Sequence, residues 1–216
     1  MNYIVNKIIM IPMVLVALMF HELAHGFVSI KLGDPTPRLQ RRMTLNPLAH
    51  LDPIGTLLMI FTGFGWAKPV EINPRYYKDP KKGMALTALA GPVTNFLLSI
   101  IAMLIYGVFF VIYAKTGIFA SSIDTIAILM VRFVQLNLCF MVFNFIPIPP
   151  LDGSRVLGIF LSNSAYFKLQ QYERYSFMLI ILLSAVGAFD YIIGGGVGIV
   201  FNAMLNVYQK LIMMVI

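Results

Sequence analysis

His21, Glu22 and His25 occur in the order His-Glu-Leu-Ala-His, and two residues four apart in a helix project from one face. Two imidazoles so placed can hold one metal ion while the carboxylate between them stands beside a bound water, the arrangement by which zinc hydrolases make a nucleophile. The motif lies inside an apolar run from about Ile4 to Ile30, long enough for a membrane-spanning helix. Ionisable groups at bilayer depth are costly. A chain with three histidines that commits two of them to one such face points to hydrolysis carried out within the membrane.

A catalytic zinc site takes three protein ligands and keeps one position for water, so a third ligand must come from elsewhere. Cys139 is the sole cysteine and sits in an apolar run, which excludes an internal disulfide and a cysteine-based zinc site. Asp152 is the best candidate. It follows Pro147-Ile148-Pro149-Pro150-Leu151 and precedes Gly153, and a constrained break near the membrane edge can turn its carboxylate inward. A plain helix N-cap is the competing use of an aspartate there.

Three motifs together resemble the site-2 family of intramembrane zinc metalloproteases: His21 to His25, Gly91-Pro92-Val93-Thr94-Asn95, and Asn144-Phe145-Ile146-Pro147-Ile148-Pro149-Pro150-Leu151-Asp152-Gly153. They occur in the family's order and span most of the chain. The resemblance implies one Zn2+ held by His21, His25 and Asp152, Glu22 as general base, and a transmembrane protein as substrate. It also implies that Asn95 and Asn144 contact the extended substrate or the developing oxyanion, although a membrane asparagine can equally bond a neighbouring helix. An inserted peptide-binding domain, present in some branches, is missing here, so the chain resembles the compact branch.

His50, in Asn46-Pro47-Leu48-Ala49-His50-Leu51-Asp52-Pro53, is a candidate for substrate contact or for orienting a ligand. It is not needed as a ligand, and Asp52 reads as a turn residue.

The elements that must position these groups are membrane helices. The chain is 59% hydrophobic and 12% charged, with a mean hydropathy of +0.84, which marks an all-α polytopic membrane protein. About four to five transmembrane helices are expected, in one metalloprotease domain covering residues 1–216. The first run reads as a retained span and not a removable signal peptide; Gly33-Asp34-Pro35-Thr36-Pro37 ends it. The motif then lies roughly 10 Å below the membrane surface. Ile54 to Val70, broken by Gly55, Gly63, Gly65 and Pro69, reads as a re-entrant or β-hairpin segment beside the site, with an ordinary interfacial loop as the alternative.

Met84 to Tyr113 and Ile123 to Ile146 read as an antiparallel pair. A further span is expected over about Phe177 to Phe189, with an upstream extension to Tyr166 as the alternative. Beyond it, Gly194-Gly195-Gly196 fit either a break or a close-packed helix, and Asp190 fits an outer loop. Trp66, Tyr76 and Tyr77 suit interfacial anchoring.

The net charge of +7 calls for no nucleic-acid partner, because Lys31, Arg38, Arg41, Arg42, Lys68, Arg75, Lys78, Lys81 and Lys82 cluster between spans. Such clusters face the cytoplasm. This orientation puts the site towards the cytoplasmic side of a multi-pass protein of the cell membrane, with the lipid bilayer as its other partner; the oligomeric state is open. Two rivals use the same residues: a zinc transporter, disfavoured by the lack of paired inverted halves, and a catalytically silent scaffold. Serine and aspartyl intramembrane proteolysis find no GxSxG or GxGD motif.

Overall fold

The computed structural model describes residues 3–55 and 67–215. Its helices are α1 (Tyr3–Lys31), α2 (Thr36–Leu39), α3 (Pro80–Thr116), α4 (Ile123–Phe145), α5 (Asp152–Leu157), α6 (Asn163–Gln171), α7 (Glu173–Ala185) and α8 (Ala188–Val215), with short 3-10 turns at Pro47–His50, Pro74–Tyr76 and Gly158–Phe160. Four of them, α1, α3, α4 and α8, are long and apolar enough to cross a membrane.

The all-helical expectation holds among the described residues, with differences in the last third. At 13 residues, α7 rises about 20 Å and falls short of a hydrocarbon core. The expected span over Phe177 to Phe189 is therefore split, and the fourth candidate span is α8. Gly194-Gly195-Gly196 lie inside α8. Asp190, expected in an outer loop, instead stands in the first turn of α8, where a carboxylate meets the positive end of the helix dipole. Its neighbouring glycines misled because a membrane helix tolerates glycine that a soluble one resists.

Most of the Ile54 to Val70 segment falls outside the described residues. At its edges Leu51 and Ala67 form an isolated antiparallel bridge, and Lys68 N–H donates to the His50 carbonyl at 2.8 Å.

The chain forms two compact units, residues 1–94 with 144–174, and residues 95–143 with 175–216. In the second, Ala102, Val134 and Leu138 make an apolar centre lined by Phe96, Met103, Phe133 and Phe201. A polar seam adjoins it: Asn95 Nδ2 donates to Asn137 Oδ1 at 2.9 Å, and Asn137 Nδ2 donates to the Phe133 carbonyl at 2.9 Å. Side-chain amides join helices this way where no water can serve them.

The first unit carries the chemistry-bearing residues. There α1 ends at Lys31, and the Asp34 N–H turns back to the Ser29 carbonyl at 3.1 Å. The proline that follows Asp34 then directs the chain away. Three residues of α1 spaced by one turn, His21, His25 and Ser29, are buried. Thr87 of α3, also buried, meets His25 through its carbonyl, with Gly83 and Gly91 one turn to either side.

Candidate metal centre

His21 and His25 lie one turn apart on α1, and their Nε2 atoms are 3.0 Å from each other. Asp152 opens α5 and brings its Oδ2 to 3.3 Å from each of these nitrogens. All three side chains are buried. Four zinc ligands at about 2.0–2.1 Å in a tetrahedron stand about 3.3 Å from one another, so the observed triangle has the size of one face of that tetrahedron. A zinc ion held there would keep its fourth position for water.

The donor chemistry agrees with the size. His25 Nδ1 lies 2.7 Å from the Thr87 carbonyl oxygen; a carbonyl can only accept, so Nδ1 carries the proton. In the neutral ring Nε2 then presents a lone pair to the triangle, the form a metal needs. Asp152 Oδ2 is buried without a hydrogen-bond partner among the described residues, an arrangement that costs free energy unless a cation sits there. Two imidazole nitrogens and a carboxylate oxygen, all buried and converging on one point, fit a divalent cation.

Glycine makes this convergence possible. A Cβ on Gly91 would fall 2.4 Å from His21 Cε1 and 2.5 Å from His25 Nε2, so α3 can pass under the imidazoles only where it lacks a side chain. Glu22 is held from a different direction: Val70 N–H donates to its Oε2 at 2.8 Å.

The other expected residues divide. Asn144 stands near the C-terminal end of α4, in the same unit as the triangle. Asn95 is committed to Asn137, as described above. His50 is buried, with Nε2 3.0 Å from the Thr44 carbonyl, and it is not in the cluster that could hold a metal. Asp52 serves its turn, accepting the Gly55 N–H at 2.8 Å. Tyr76 is exposed, as an interfacial anchor would be, but Tyr77 is buried; its ring and hydroxyl are used inside the first unit. Sequence did not single out Thr87, and it gave Gly91 only as the start of a motif and Val70 only as the end of the segment expected beside the site, with no role for either. Two act through main-chain atoms, which residue identity does not report, whereas a glycine within a membrane helix was a usable signal.

Comparison with known proteins decides the family. The chain is 36% identical over 185 residues to a Bacillus subtilis (strain 168) protein named "Putative zinc metalloprotease YwhC", covering 83% of this chain and 81% of that one. The chain belongs to the site-2 protease family of zinc metalloproteases. A Mycolicibacterium smegmatis relative named "Putative zinc metalloprotease Rip2" is 24% identical over 85% of this chain and 69% of its own length. A Mycobacterium tuberculosis (strain H37Rv) protein of the same name is 25% identical over 78% and 63%. No family model matches the chain, and no solved structure matches it. Membership in a zinc metalloprotease family agrees with a metal-sized triangle that includes both motif histidines.

Proposed function

We propose that the chain is a zinc-dependent intramembrane endopeptidase that hydrolyses peptide bonds in or near transmembrane segments of membrane proteins. One observation carries the reading: a buried His21–His25–Asp152 triangle of zinc dimensions is built on a helix apolar enough to cross a membrane. The names of the relatives support the metalloprotease part.

His21, His25 and Asp152 would hold the ion by Nε2, Nε2 and Oδ2. Zinc bound there supplies Lewis acidity, polarising a carbonyl and lowering the pKa of water to about 7. Glu22 accepts the proton of the attacking water and returns it to the leaving amine. Val70 N–H, bonded to Glu22 Oε2, fixes the carboxylate's rotation for both transfers. Asn144 is the proposed oxyanion donor; for Asn95 that role competes with its bond to Asn137.

A helical substrate hides its carbonyls in its own hydrogen bonds and must unwind before attack. Pairing with the segment that begins near Ile54 and ends at Val70 would stabilise the unwound stretch by strand addition. The Leu51–Ala67 bridge and the contact of Val70 with Glu22 support this, because a chain paired there would lie beside the general base. The basic residues between α1 and α3 favour a site on the cytoplasmic side of the cell membrane.

The test pairs wild type with Glu22→Gln in detergent, measuring bound zinc and cleavage of a generic transmembrane peptide, with zinc uptake into vesicles alongside. One zinc in both and cleavage in wild type alone supports the reading. Zinc uptake by both without cleavage favours the transporter, and a wild type without zinc overturns the site.

A further inference from the structure

A line of buried hydroxyls runs from the metal centre to Asp34. Thr87 Oγ1 lies 3.1 Å from the Tyr77 hydroxyl, which lies 2.7 Å from Ser29 Oγ, and Ser29 Oγ donates to Asp34 Oδ2 at 2.7 Å. Ser29, Asp34, Tyr77 and Thr87 are all buried. Asp34 also accepts the Asn73 N–H on Oδ2 at 2.7 Å and the Thr36 N–H on Oδ1 at 2.9 Å. Three donors converge on one carboxylate and leave it nothing to donate, so it is an anionic end point.

That end point sets the direction of every bond in the line. Ser29 has one proton and gives it to Asp34, so Tyr77 must donate to Ser29 and Thr87 must donate to Tyr77. The Tyr77 ring can reach because Gly83 makes room: a Cβ there would lie 2.3 Å from Tyr77 Cδ2. One turn further on is Thr87, whose side chain is thereby held by Tyr77 and whose carbonyl accepts the proton of His25 Nδ1 at 2.7 Å.

We infer that Asp34 and Tyr77 are positioning residues for the metal ligand His25, acting through Thr87. Asp34 anchors Ser29 and Tyr77, Tyr77 fixes the turn of α3 that contains Thr87, and the Thr87 carbonyl fixes the tautomer and tilt of the imidazole. Groups that orient a metal-binding imidazole typically govern affinity by 10–100-fold. This inference rests on the zinc-site reading and deepens it, adding residues that touch neither metal nor substrate.

Tyr77→Phe is the sharpest variant, since it removes one oxygen and keeps the ring on Gly83. Asp34→Asn is the second: an amide in place of the carboxylate turns one acceptor into a donor facing backbone N–H groups. Val134→Ala, in the apolar centre of the other unit, serves as a control that lowers stability without touching the line. In each purified full-length protein, zinc affinity is measured by chelator competition, the visible spectrum by cobalt substitution, and stability by thermal unfolding.

The expected result is zinc affinity weakened about tenfold in Tyr77→Phe and Asp34→Asn, with a changed cobalt spectrum, while Val134→Ala loses stability and binds zinc as wild type does. Unchanged affinity and spectrum in both variants would overturn the inference. Equal weakening in all three would do the same by reducing the effect to general destabilisation. A wild type that takes up no zinc would sink the underlying site reading and the inference together.

Discussion

Val70 N–H and Glu22 Oε2 are joined by a 2.8 Å hydrogen bond between residues 48 positions apart, so a carboxylate on a helix apolar enough to cross a membrane is oriented by the main chain of a distant loop. Val70→Pro deletes that donor and nothing of the metal triangle. Peptide cleavage should fall about 10- to 100-fold, the range for groups that orient a site from outside, with bound zinc unchanged. Cleavage rate and zinc content on the same preparation check this; equal loss of both would count against a role confined to Glu22.

Gly91→Ala replaces a poor helix former by the best one, so propensity alone predicts a more stable α3. The added methyl group would instead overlap His21 Cε1 and His25 Nε2 at 2.4 and 2.5 Å. Zinc binding and cleavage should both be lost while helix content by circular dichroism is retained. A variant that still binds zinc would place α3 farther from the imidazoles than these distances allow.

Asp34 gives a signature in acid. Burial opposes its charge, but the Asn73 N–H, the Thr36 N–H and the Ser29 hydroxyl outweigh that and lower its pKa below the ordinary value of about 3.9. The folded state therefore binds fewer protons than the unfolded state just below that value. The carboxylate's contribution to stability is complete above the unfolded pKa and disappears as pH falls through the folded one. The stability gap between wild type and Asp34→Asn should hold from neutrality to about pH 5 and narrow in stronger acid. Thermal unfolding across that range reads the gap; one that stayed constant throughout would argue against an ionised Asp34.

Asn95 separates two uses of one amide. Loss of its bond to Asn137 should cost about 0.6–2 kcal/mol in a membrane setting, so Asn95→Ala should lower stability while leaving zinc affinity intact. Full stability with impaired cleavage would return Asn95 to the substrate role that its motif suggested.

What sequence revealed follows from which physical rules are local. The proximity of His21 and His25 was readable because helix geometry alone puts them together, and that of Asp152 because the zinc reading called for a third donor. The candidate spans α1, α3 and α4 were readable from continuous apolar length. Asp34 was read only as part of a helix stop and Tyr77 only as an interfacial aromatic, because their partners, Ser29, Asn73 and Thr87, come together through tertiary packing. Contributions of the Thr87 carbonyl and the Val70 amide leave no trace in residue type at all. The break between α7 and α8 was missed for a different reason: apolarity reports burial in lipid but not where a helix turns.

The bond between His25 and the Thr87 carbonyl has an evolutionary corollary. A carbonyl cannot be substituted away, so no replacement at position 87 other than one that bends the helix would remove the acceptor that sets the imidazole's proton. Retuning this centre by mutation must instead work through residues that shift the whole turn, such as Gly83, Gly91 and Tyr77. The acceptor is robust to genetic change, and its adjustable parts lie at a distance.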